Sequence, residues 1–511
     1  MQGKYDYEEA LKFNDELPPL SQEDFCALVG TLIDTGYDRQ EVTGIEKGMH
    51  FAQLPIVETF EDFWRGVLFY YTANGWASLQ RLQSPTGPDL PFSLESKEKE
   101  QEILCLRKAL SLVEQYNSPG TMAQILTNLG NALDHVGRFV EAVEYWKWAL
   151  SLLPDFGMAM GNLGFGLVHY AKILYDEGHR FVFCQFAYHF LQKGIASEDS
   201  YPEAKKGFGD AVEMIANRYG VNNLTSGVDL DNFSLGRSKK EQHYRKWCIN
   251  ENLFLNPLND VVRANIVAHD CFYLPGMTTK LDDPPLYFAI YNQLKQEYAS
   301  ARYLLYEGIT ADKPHFSDKG NFQVDTLDYA VYSLGIEKIK IAFRIGYSIF
   351  DKIAYLLNDY LEVGLRSHEV NFRRVWYKNG NIKQGILNPL LLNSQNLALR
   401  GLYWLSKDLI SVDTEFTSSI LPEANKLVAI RNFIEHKSFM VVDIGKTEEV
   451  HDEMTMQITR DDLINNTFVL MRTARAAMMY ISFAIHIEEQ KTKSSNTIPM
   501  YMQEMSQKFK I

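Results

Sequence analysis

Along nearly the whole chain apolar residues recur at three-and-four spacing, and no series of short alternating Val/Ile/Thr-rich segments separates turn signals, so the pattern predicts an all-α protein. Stripes run from Phe63 to Leu82 and Ser96 to Gln115, and later from Leu286 to Gly308, Leu327 to Gly364, Asn393 to Ile410, Pro422 to Val441 and Asp461 to Glu489. Pro422 stands where a first helical turn tolerates proline, and Asp461 with Asp462 suits the positive end of the last helix. Five such stripes predict a helical bundle over residues 285–490. Before them, Asn222 to Lys240 is rich in Asn, Ser, Gly and Asp without a period, and Leu253-Phe254-Leu255-Asn256-Pro257-Leu258-Asn259-Asp260 mixes turn and cap residues into apolar flanks. Residues 221–284 are therefore expected to form a linker and junction, with 1–40 a helical lead-in and 491–511 a C-terminal tail.

Internal repetition organises the first half. Leu129-Gly130 is followed by Gly137, Phe139, Ala142, Ala149 and Pro154; Leu163-Gly164 comes 34 residues after Leu129-Gly130, and Leu133 recurs as Leu167. These positions resemble the tetratricopeptide repeat, in which two antiparallel helices need small residues at their close crossing and a proline after the second. Trp146 takes an apolar place in the second helix. The second copy departs, with Ala171 at the turn-glycine position and a longer connection through Gly178. The expected array spans residues 41–220, with the two earlier stripes as degenerate members.

The 511 residues, 46% hydrophobic and 13% aromatic, suffice for about three domains at roughly 100–200 residues each. A formal charge of -14 excludes coating nucleic acid through net charge, but not a local basic patch. Five scattered cysteines (Cys26, Cys105, Cys184, Cys248, Cys271), never C-x-x-C, argue against a disulfide framework or thiolate zinc site and for a reducing compartment. The N-terminus lacks a signal-peptide pattern and no unbroken apolar run reaches the ~18 residues of a membrane span, so a cytoplasmic protein without a membrane partner is expected. Neither a G-x-x-x-x-G-K-[ST] loop nor H-E-x-x-H nor a compact His/Cys cluster occurs, and Gly161 to Gly166 belongs to a repeat helix; no cofactor and no metal is expected.

The candidate chemistry lies in Arg431-Asn432-Phe433-Ile434-Glu435-His436. A permanent cation, an amide that can orient it and a group titrating near neutral pH suffice to cleave RNA without a metal, histidine exchanging protons and arginine holding phosphoryl oxygens. The pattern alone is weak, since R-x4-H arises by chance about 0.5 times in this composition and a spacing of four to six about 1.4 times; Arg263 to His269 is such a chance match. Asp351 and Asn358, seven residues apart on one helix face, are supporting candidates, equally suited to capping. Glu435 reads as a solvated helix residue. A basic island from Arg366 to Lys383 holds Arg366, Arg373, Arg374, Lys378 and Lys383 against one acid, Glu369, with Phe372, Trp376 and Tyr377 interleaved; Arg366, Arg373, Arg374, Trp376 and Lys378 are candidate substrate-binding residues for single-stranded or loop RNA.

A helical bundle with R-N-x-x-x-H on a late helix resembles the HEPN superfamily, as do the stretch from Ser348 to Tyr360 and the run from Leu253 to Asp260; the resemblance covers about residues 245–490. It implies an endoribonuclease leaving a 2',3'-cyclic phosphate and a 5'-hydroxyl, with Arg431 and His436 catalytic and Asn432 orienting, in toxin or antiviral defence and acting on tRNA or other cellular RNA. Five residues on an ideal helix put Arg431 and His436 about 140° apart and ~7.5 Å apart along the axis, and the family brings two such motifs together across a two-fold dimer. A homodimer or higher symmetric oligomer follows, with a protein partner or inhibitor on the repeats. The alternative is a non-catalytic repeat scaffold with a HEPN-like dimerisation bundle; a peptide-binding regulator is a third reading.

Overall fold

Polar caps, turn glycines and proline at first helical positions cut the apolar stripes into separate helices. The computed structural model describes residues 5–15, 17–83, 94–280, 286–321, 330–392, 394–409, 424–443, 449–450, 454–491 and 497–500. It divides into two compact units, the first holding residues 1–172 and 181–226, the second 173–180, 227–417 and 423–511.

The first unit carries α1 (Tyr7–Ala10), α2 (Gln22–Asp38), α3 (Val42–Phe51), α4 (Asp62–Gln83), α5 (Lys97–Val113), α6 (Pro119–His135), α7 (Phe139–Leu152), α8 (Gly157–Ile173), α9 (Glu177–Ala196), α10 (Pro202–Tyr219) and α11 (Val221–Thr225). Ser21 and Ser96 cap α2 and α5 by accepting from the backbone of Asp24 and Lys99, and Pro119 and Pro202 open α6 and α10. Helices α2 and α3, α4 and α5, and α6 and α7 pair as hairpins. At the α6–α7 crossing a Cβ on Gly130 would stand 2.5 Å from Trp146 Nε1, and on the neighbouring helix a Cβ on Gly166 would overlap the same indole. Trp146 is thus more than an apolar substitute: its ring fills the space two glycines vacate, and its N–H donates to Thr127 O (3.2 Å) and Asn131 Oδ1 (3.0 Å). Gly164, 34 residues after Gly130, repeats the close approach against Leu191. Where a turn glycine is missing at Ala171, α8 simply continues to Ile173. The expected lead-in holds helix α2, whose Phe25, Leu28, Val29 and Leu32 share one core with Ile45, Met49, Val67 and Leu68, because an apolar stripe that long must be covered.

The second unit carries α12 (Lys239–Asn250), α13 (Leu258–Val261), β1 (Met277–Lys280), α14 (Leu286–Ile309), α15 (Leu334–Tyr360), α16 (Pro389–Leu392), α17 (Leu397–Asp408), α18 (Ala424–His436), β2 (Ser438–Val442), β3 (Glu449–Val450), β4 (Thr455–Thr459), α19 (Arg460–Lys491) and β5 (Thr497–Met500). Four expected bundle helices appear as α14, α15, α17 and α19. Leu327, Asn393, Ile410 and Pro422, at ends of the sequence stripes, lie outside the described residues, as does 501–511. The fourth stripe is corrected at its far end: α18 stops at His436 and Val441 lies in β2, which pairs parallel with β4, while β3 pairs antiparallel with β4. Part of the expected tail, Thr497 to Met500, pairs antiparallel with β1. α19 is long and apolar enough to cross a membrane by composition, but 83% of its most apolar window is buried inside the protein.

The expected linker over 221–284 is also corrected. From residue 227 the chain belongs to the second unit, and Leu253 to Asp260 is buried there. This irregular segment has carbonyls that no helix or sheet satisfies. Arg475 of α19 supplies donors to Phe254 O (2.5 Å) and Asn256 O (2.8 Å) and pairs with Asp260 at 2.6 Å. Arg302 of α14 donates to Leu253 O (2.9 Å) and grips Asp270 with two bonds of 2.8 and 2.7 Å.

Candidate active site

The site is built where the solvent side of α15 meets α18. On α15 the apolar residues Phe343, Gly346, Phe350 and Ile353 are buried, which leaves Arg344, Tyr347 and Asp351, at i, i+3 and i+7, on one shared face. On α18 Leu427, Ile430 and Phe433 are buried, and Arg431 and Glu435, four apart, share a face. The Arg431 guanidinium lies 5.6 Å from the centre of the Tyr347 ring, a cation–π distance, and its Nη1 donates to Asn432 Oδ1 at 3.0 Å. Arg344 donates from Nε and Nη2 to the two Glu435 oxygens at 2.9 and 3.1 Å. His436, the last residue of α18, is exposed.

The electrostatics follow from this layout. Burial pushes the Asp351 carboxyl up, partly offset by the Phe372 N–H it accepts at 3.4 Å and by the charge of Arg431. Burial likewise pushes the Tyr347 phenol up to about 12, with Asp351 adding to the rise and Arg431 opposing it; Tyr347 O–H donates to Leu409 O at 3.2 Å. Glu435 is held below the usual carboxylate range, chiefly by its hydrogen bond from Arg344, then, against a smaller effect of burial, by the charges of Arg344, Arg431 and His436. Arg431 is therefore anchored by an aromatic face and an amide, with an acid within electrostatic reach. Among the described residues no group of three or more His, Cys, Asp or Glu is placed to hold a metal ion.

The sequence candidates divide accordingly. Arg431 has Asn432 as a hydrogen-bond partner and Asp351 within electrostatic reach, while His436 lies further along at the exposed end of the same helix. Asn358 does not join them: its amide accepts from Leu365 N (2.9 Å) and donates to Leu365 O (3.1 Å), closing the turn after α15. The basic island is corrected in part. Trp376 is 0% exposed, its N–H donating to Phe372 O at 2.7 Å, so it is a core residue with no face for a base. Arg374 holds the turn through Gly380 O (3.0 Å), Arg373 is half-buried, and Arg366 is paired with Glu369 by two bonds of 2.9 and 2.6 Å. Lys378 and Lys383 remain exposed. Arg263 donates to Asn259 O at 2.8 Å in the buried junction, apart from any such cluster. Arg344 and Tyr347 are not among the sequence candidates; with Asp351 they form an i, i+3, i+7 series on the polar face of an amphipathic helix, which by itself marks no site.

Residues 278–488 match the family model described as LA2681-like HEPN. The second unit carries a HEPN-superfamily domain. The match covers less than half of the chain and begins after the Leu253 to Asp260 segment, although that segment packs inside the same unit as the HEPN domain. No curated protein matches the chain.

Proposed function

We propose that this chain is a HEPN endoribonuclease effector that cuts cellular RNA, tRNA or another single-stranded or loop RNA, by 2'-hydroxyl attack. The observation that carries the reading is the pairing of an anchored cation, Arg431 over Tyr347 and bonded to Asn432, with an exposed imidazole at the end of the same helix. In the reaction His436 accepts the 2'-hydroxyl proton as the 2'-oxygen bonds to phosphorus. The bond from phosphorus to the 5'-oxygen breaks, and a protonated imidazole, His436 of a second copy, gives that oxygen its proton. Arg431 holds the phosphoryl oxygens as charge builds on them, and Asn432 orients Arg431. The products are a 2',3'-cyclic phosphate and a 5'-hydroxyl.

Because Arg431 and His436 diverge around one helix, we infer that the working enzyme is a homodimer or a symmetric assembly of dimers in which two motifs border one cleft. The helical hairpins of the first unit, read as a tetratricopeptide-like array by the 34-residue recurrence of Gly130 at Gly164, offer a platform for a protein partner or inhibitor. A cytoplasmic toxin or antiviral role fits an RNA-cutting effector under such control. The test incubates purified protein with total RNA and analyses the new ends. Wild type should generate 5'-hydroxyl and 2',3'-cyclic phosphate ends, and Arg431→Ala should lose them while keeping the wild-type oligomeric state; equal cleavage by the two proteins would remove Arg431 from catalysis.

A further inference from the structure

Glu435 is a single carboxylate set among three cationic or ionisable groups. Arg344 holds it with both prongs of its guanidinium, at 2.9 and 3.1 Å. Arg431, four residues back on α18, and His436, the next residue, both act on it electrostatically. A guanidinium fork that grips a carboxylate in this way fits two oxygens of a phosphodiester equally well. The pair is also weakly held: the side chains of Arg344 and Glu435 are 46% and 29% exposed, a setting in which ion pairs contribute little and exchange partners readily.

Resting on the ribonuclease reading above, we propose that Glu435 holds the place of a substrate phosphodiester in the RNA-free protein, and that Arg344 is a phosphate-binding residue of the Arg431–His436 site. When single-stranded RNA enters, a phosphate displaces Glu435 from the Arg344 fork. The carboxylate then turns to solvent from the exposed end of α18, and Arg344 and Arg431 grip successive or shared phosphoryl oxygens from α15 and α18. The strand is thereby led across the face of α15 that carries Arg344. Glu435 also discriminates, since any ligand without an anionic group able to replace a carboxylate on the fork leaves the pair closed.

The test uses the full chain and a fluorescein-labelled, fully 2'-O-methylated single-stranded oligoribonucleotide, which lacks the attacking hydroxyl, with affinity measured by anisotropy across a salt series. Arg344→Ala should weaken binding about tenfold and lower the slope of log K against log salt by about 0.7, the loss of one phosphate contact on a single strand. Glu435→Gln should bind about two- to fivefold more tightly than wild type, the range for releasing one exposed ion pair, and the gain should be smaller in the Arg344→Ala background, where only its effect on Arg431 and His436 remains. Arg344→Lys, which keeps the charge without the fork, should fall between wild type and Arg344→Ala. Unchanged affinity and slope in Arg344→Ala, no gain in Glu435→Gln, or no binding by either wild type or Glu435→Gln overturns the proposal. The expected binding pattern with no cleavage of unmodified RNA would sustain the phosphate site and sink the ribonuclease reading. Cleavage abolished by His436→Ala with Arg344 and Glu435 silent would do the reverse.

Discussion

Two arginine–carboxylate pairs in the second unit share their chemistry and differ in setting. Arg475 and Asp260 meet with side-chain exposures of 1% and 0%, whereas Arg344 and Glu435 meet with 46% and 29%. The first pair has been removed from water, so neither member can lose the other without stranding a buried charge. The second remains within reach of water and screening salt, and its members can change partners at little cost. Buried, the arginine fork fixes an irregular segment to α19; at the surface, the same fork beside Arg431 and His436 is suited to recognition. Exposure, more than residue type, sets the difference between the two pairs.

The largest expected effect breaks the buried side of this comparison. A fragment that starts at residue 278, where the family match begins, lacks Asp260 and Asp270 and leaves Arg475 and Arg302 buried without them; it should give no cooperative unfolding transition by circular dichroism, and a cooperative one would show that the segment is dispensable. In the full chain Asp260→Ala should cost about 3–5 kcal/mol, read from the denaturation midpoint, and Asp260→Leu with Arg475→Met should recover much of it. On the exposed side, Arg431→Ala should lower RNA cleavage by about 10²–10³-fold, as for loss of one group that stabilises developing charge, with little change in melting temperature. A loss of several degrees would instead place Arg431 among the architectural pairs.

A smaller effect comes from a carboxylate whose neighbour is another acid. Asp34 in α2 is pushed up to about 6 by burial, with the charge of Asp38 adding to it. Its folded value lies above the ordinary 3.8, so the fold favours the protonated form, and stability is lost as pH rises through about 6. Asp34→Asn should therefore melt above wild type at neutral pH and together with it below about pH 4; a gap that persists in acid would point to packing rather than charge.

The helices of both units are legible because an apolar stripe at helical period has few other uses, and Gly130 and Gly164 each lie against a large side chain, Trp146 and Leu191. Three features were hidden for separate physical reasons. The Leu253 to Asp260 segment looks like a linker because its Asn and Asp residues are turn formers, and the arginines that satisfy it stand far along the chain on α14 and α19. β2 and β4 are five residues each, too short to interrupt a helical pattern, so the apolar stripe of α18 runs on past His436 to Val441 without a break in the sequence. Trp376 sits among basic residues, as a stacking residue would, yet Phe372 and Tyr403 pack edge-on against it. At the proposed site, Arg431, Asn432 and His436 are the residues that the sequence offers as candidates. Arg344 and Tyr347 are not among them, because their role depends on how α15 meets α18.

The most direct test expresses wild type and His436→Ala in cells under tight induction and sequences total RNA for new 5'-hydroxyl ends. The account predicts new ends at defined positions in wild type and none with His436→Ala. The same ends in both, or no ends in wild type while the protein accumulates folded, would contradict it.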